Sequence, residues 1–144
     1  MEQFRKFLRL VSLCFAAGCF GAAVAYLVLW IFGVKGVNEY FHVHFRPALT
    51  ASWFYPKIFL GGVWGCLFAL PFLKKPIFIK GLIYAIGPAI VELFVILPMT
   101  TIGGVQGGVL GLGFGAFMPL IIIFISILWG FMTSVWLLLV GIGK

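Results

Sequence analysis

From Leu10 to Phe32, and again from Phe117 to Ile142, the chain carries no charged side chain. A helix crossing a hydrocarbon core of ~30 Å needs about 20 mostly apolar residues, and both runs reach that length. Two further runs qualify. The one from Trp53 to Leu73 has Lys57 near its start, where a lysine can lift its ammonium to the headgroups; the other, from Gly81 to Pro98, carries Glu92. With 64% of its 144 residues hydrophobic and 9% charged, against roughly 45–50% apolar content in soluble domains, a chain this short has no aqueous way to bury its apolar surface. The sequence therefore predicts an all-α integral membrane protein of four transmembrane helices in a single membrane domain, residues 1–144. Its spans lie at about 10–32, 53–73, 81–98 and 117–142, with outer linkers 33–52 and 99–116 and an inner loop at 74–80.

The placement of charge orients these spans. Arg5, Lys6, Arg9, Lys74, Lys75, Lys80 and Lys144 fall on one side, while Lys35, Arg46 and Lys57, partly offset by Glu39, fall on the other. By the positive-inside rule both termini and the 74–80 loop are cytoplasmic, in a bacterial-type inner membrane. A net charge of +7 is then explained by anionic lipid headgroups, and no nucleic-acid partner is expected. Arg5, Lys6 and Arg9 ahead of an apolar run imitate a secretory leader, but that run is about twice the usual length. It reads as a retained signal anchor.

The two halves of the chain look alike. Each has a basic cluster, an outward span, a long outer linker, a proline and an inward span with a Trp-Gly pair. Pro56 and Pro119 are 63 residues apart, and Trp64-Gly65 and Trp129-Gly130 are 65 apart. This is a candidate 2+2 parallel repeat about an axis along the membrane normal.

Glycine is concentrated in "GGVQGGVLGLGFGAF", residues 103–117, where Gly103, Gly107, Gly111 and Gly115 recur every four residues. On a helix that spacing makes a groove of the kind through which membrane helices approach closely. The same stretch also suits a re-entrant outer segment, since glycine weakens a helix interior by roughly 1 kcal/mol relative to alanine. Gly18 and Gly21 in the first span, and Gly61 and Gly65 in the second, are further helix-packing candidates. Cys14, Cys19 and Cys66 all fall inside spans, form no CxxC, and are expected to act as small apolar residues.

Glu92 is the sharpest single residue. An ionised carboxylate in the outer half of the hydrocarbon is costly, and intramembrane acids mark ion or proton paths. Gly87 and Pro88, one turn earlier, free the carbonyl of Tyr84 and predict a kink beside it. The alternative is a structural glutamate bonded to another helix or paired with Lys57 or Arg46. His42 and His44, with Glu39 nearby, are too few for the three or four ligands of a metal site, so no metal is expected. HExxH, GxSxG and paired aspartates are missing, so no enzyme is expected either.

Seventeen phenylalanines and five tryptophans suit packing and lipid contact. They also suit a groove for a lipid, a quinone or a pigment. Two functions follow. The first is association: an accessory or structural subunit of a membrane complex, or a homo-oligomer, held through glycine-lined helices, with lipids and other membrane subunits or itself as partners. The alternative is a small proton- or cation-coupled transporter or channel that uses Glu92.

Overall fold

The computed structural model describes residues 1–102 and 104–142, and over these the chain is mostly helical. Three helical stretches are long and apolar enough to cross a membrane: Glu2–Val34, Ile77–Met99 and Met118–Leu139. The first is one helix, α1 (Glu2–Val34), which begins eight residues before the apolar run because its basic first turns are good helix formers. After a short helix α2 (Val37–Tyr40) and an extended stretch, α3 (Ala51–Gly65) starts on Thr50. The hydroxyl oxygen of Thr50 accepts from the backbone N–H of Trp53 at 3.3 Å, satisfying one donor that a helix start leaves open. α3 tightens into a 3₁₀ turn (Cys66–Ala69) before Pro71. The third stretch is α4 (Ile77–Tyr84), α5 (Ile86–Val91), a π turn (Glu92–Ile96) and α6 (Leu97–Met99), and the last long helix is α7 (Met118–Leu139).

α1 lies at the centre, packed against α3 on one side and α7 on the other, while α4 packs on α7. Lipid tails are as apolar as leucine, so helices hold together in a bilayer by close packing and not by expulsion of water. Glycine makes that packing feasible at three seams. A Cβ on Gly65 of α3 would stand 2.7 Å from Cα of Gly18 in α1, and one on Gly21 of α1 would stand 2.7 Å from the carbonyl oxygen of Trp129 in α7. One on Gly81 of α4 would stand 2.6 Å from the carbonyl oxygen of Gly130 in α7. Gly61 also faces Gly18 and Ala22. Polar groups tie two of these seams: the indole N–H of Trp129 donates to the carbonyl of Gly18 at 3.1 Å, and the Ser134 hydroxyl, whose proton is shared with the carbonyl of Gly130 on its own helix, reaches the carbonyl of Ile77 at 3.1 Å.

The glycine-rich segment is not a helix, which corrects the helical-groove expectation for Gly107, Gly111 and Gly115; Gly103 lies outside the described residues. β1 (Thr101–Ile102) pairs antiparallel with β2 (Val105–Gln106), and a 3₁₀ turn (Val109–Gly111) follows. Gly111 has φ +71°, which excludes it from a right-handed helix, and its α-carbon leaves room for Leu97 and Met118. Gly115 lies so close to the stretch after α2 that a Cβ would stand 2.6 Å from the carbonyl oxygen of His42. The described part of the segment places Phe114, fully buried, edge-on to Phe45 at 5.0 Å. Gly107, Gly111, Gly113 and Gly115 serve contacts inside the chain.

Helix propensity alone makes glycine-to-alanine stabilising by roughly 1 kcal/mol, whereas overpacking costs about 1–3 kcal/mol. Gly65→Ala and Gly130→Ala are therefore expected to lower the thermal midpoint of the purified protein in detergent. Raised midpoints in both variants would show that the seams are not tight.

Candidate functional site

Glu92 opens the π turn, and its position follows from the proline before it. Pro88 has no N–H for the carbonyl of Tyr84, so the helix breaks into α4 and α5 around Ala85. The wider π turn that follows re-aims Glu92; such turns are frequent at functional sites. The carboxylate faces inward, between α1, α3 and α7.

Lys57 meets it there. Its ammonium donates to Oε1 of Glu92 at 2.7 Å, with the two side chains 12% and 6% exposed. The Tyr26 hydroxyl from α1 lies 3.4 Å from Oε2, and the Lys57 ammonium stands 5.3 Å from the Tyr26 ring centroid. That distance is within reach of the cation–π attraction. Three elements thus contribute one group each to a polar centre in apolar surroundings.

Beside the centre is a small cavity with ≈ 30 Å³ of space for water, lined also by Trp64, Pro88, Ser126 and Trp129. A cavity needs roughly 10–15 Å³ measured this way to admit a water, and a water needs two or more polar partners. Glu92, Lys57 and Ser126 supply them.

Of the sequence candidates, Glu92, Gly87 and Pro88 meet at this site. Lys57, not Arg46, is the partner of Glu92. Arg46 lies 3.6 Å from Glu39 in a pair about two-thirds exposed. His42 and His44 are exposed, with the buried Val43 between them, and no group of three or more metal-ligating side chains occurs among the described residues. Gly18, Gly21, Gly61 and Gly65 line the α1 seams around the centre. Tyr26 was missed as a functional residue, although it shares a helical face with Gly18 and Ala22 and that face is the one turned to α3. Trp64 and Trp129, the tryptophans of the two Trp-Gly pairs, both border the cavity.

Removing one member of a buried ion pair costs about 3–5 kcal/mol because it leaves the other charge alone, while replacing both with apolar groups is often neutral. Lys57→Met is therefore expected to destabilise the protein by about that amount, and Lys57→Met combined with Glu92→Leu is expected to recover most of it. Thermal or SDS unfolding of the two variants checks this. A double variant no more stable than the single one would mean that the pair is not the energetic unit.

In comparisons with protein-family models, curated proteins and solved structures, no match to this chain was found.

Proposed function

We propose that the chain is a four-span protein of a bacterial-type inner membrane that couples movement of a small solute or ion to protons through Glu92. The observation that carries this reading is the buried Lys57–Glu92 pair with Tyr26, since ionisable groups inside a membrane are costly and rarely kept for packing alone. A proton entering through the cavity neutralises Glu92 and removes the counter-charge of Lys57. The pair then opens; loss of the proton closes it. The break at Pro88 and the π turn give the helix a place to bend as this happens.

The fourth span, α3, belongs to the same proposal. Its α-helical part is roughly 22 Å long at 1.5 Å per residue, and its 3₁₀ turn adds roughly 8 Å at 2.0 Å per residue, together near the hydrocarbon thickness. The 2+2 repeat gains support from the glycine seams: Gly81 follows Gly18 by 63 residues and Gly130 follows Gly65 by 65, and each half brings its own two glycines together. Both termini and the 70–76 turn are placed inside by the basic residues near them.

Assembly as an accessory subunit or homo-oligomer is the second reading. It is favoured by exposed aromatic side chains on α4 and α7, where Phe78 and Phe131 stack at 5.4 Å. Of the glycines expected to carry such assembly, Gly18, Gly21, Gly61, Gly65, Gly107, Gly111 and Gly115 are engaged within the chain, which moves this reading to second place. A native mass well above one chain, unaffected by Glu92→Gln, would restore it.

Two measurements test the main reading. In liposomes with an imposed pH gradient, the wild-type protein is expected to carry proton-linked flux, and Glu92→Gln, still folded with its helical content kept but less stable for the loss of the Lys57 partner, to abolish it; flux retained in Glu92→Gln removes the reading. For topology, a cysteine at Lys75 should react only from the inner side and one at Tyr40 only from the outer side. Labelling of both from one side would contradict four spans.

A further inference from the structure

Three helix seams are closed by backbone against backbone, as the glycines at Gly18–Gly65, Gly21–Trp129 and Gly81–Gly130 require. The seam between α3 and α5 is different. There a Cβ on Gly87 would meet the Trp64 ring at 2.8 Å, a side chain that can turn aside. The other link across it is the ion pair of Lys57 and Glu92, and the cavity lies along it. Side chains close this seam, so side-chain motion alone can open it.

What fits behind it follows from what is already held there. The lysine side chain is a four-carbon chain ending in an ammonium, and the centre binds that ammonium with a carboxylate at 2.7 Å and an aromatic face at 5.3 Å. Leu60, Val91, Ile96 and Ile125 complete the lining. A calcium or magnesium ion wants six or more oxygens and a zinc ion three or four ligands, and only one carboxylate is present. An anion would need a cation that is not already paired. An amine on an apolar chain matches both the charge and the grease.

We propose that the Lys57–Glu92 centre is a binding site for alkylammonium ions, which enter from the bilayer between α3 and α5 and take the place of the Lys57 ammonium on Glu92. The proposal deepens the transport reading and rests on it for the direction of movement, but not for the chemistry of the site. One positive charge enters as another leaves, so the charge on Glu92 stays matched. Lys57 lies in the second turn of α3, close to the Thr50 cap, and its stem can carry the ammonium out to the headgroups.

Chemical rescue tests this directly. Lys57→Ala removes the tethered amine and leaves its space. Millimolar n-butylammonium is expected to raise the melting temperature of Lys57→Ala by several degrees. n-Butanol should not, and Lys57→Ala combined with Glu92→Gln should not respond to the amine. An equal response of both variants, or none in either, overturns the proposal. Should Lys57→Ala fail to fold, octylammonium is expected to change the tryptophan fluorescence of the wild type, through Trp64 and Trp129, and to have no such effect on Glu92→Gln; no Glu92-dependent change overturns it. Glu92-dependent proton flux without amine binding would remove this site and keep the transport reading. Amine binding without flux would keep the site and remove transport.

Discussion

A carboxylate and an ammonium placed among Leu60, Val91, Ile96 and Ile125 have almost no water to fall back on. Each is tolerable only because the other is 2.7 Å away, and the penalty for separating them is larger than any gain the pair brings to folding. That asymmetry shapes the structure around it. Helix α3 must present Lys57 in its second turn, the third helical stretch must break at Pro88 and widen at Glu92, and α1 must offer Tyr26 to the second carboxylate oxygen. The expensive pair and the irregular helix occur together, and each makes sense of the other.

The rest of the packing isolates this centre. In lipid, closeness is the main source of helix affinity, and glycine at Gly18, Gly21, Gly65, Gly81 and Gly130 brings backbones together on three seams. The Trp129 indole and the Ser134 hydroxyl add hydrogen bonds where those backbones meet. The seam between α3 and α5 is closed by side chains, and it is the one that carries the charges.

Much of this was legible in the sequence, for physical reasons. Long, mostly apolar runs favour helices, so the three long helical stretches follow from composition. Pro88 announced the break and Glu92 announced the site, because each violates what an ordinary membrane helix tolerates. The glycine-rich stretch was legible only as an anomaly. Its four-residue spacing fits a helical groove, but Gly111 takes a backbone conformation that no helix allows, and what decides it is the fit of Leu97, Met118 and Phe114 around it. Choosing Lys57 over Arg46 as the partner of Glu92, and adding Tyr26, required three separate helices to be placed against one another. No local pattern encodes that. The helical face shared by Tyr26 with Gly18 was the one available hint.

In the proposed function Glu92 takes and gives up a proton inside the bundle while Lys57 changes partner. Infrared difference spectroscopy of the protein in lipid, recorded as the pH is lowered, tests it most directly, because the other two acids of the chain, Glu2 and Glu39, are exposed. The account predicts the appearance of a carbonyl stretch of a protonated carboxylic acid in an apolar setting, absent from Glu92→Gln. The same spectrum in both proteins, or no such band in the wild type, would contradict it.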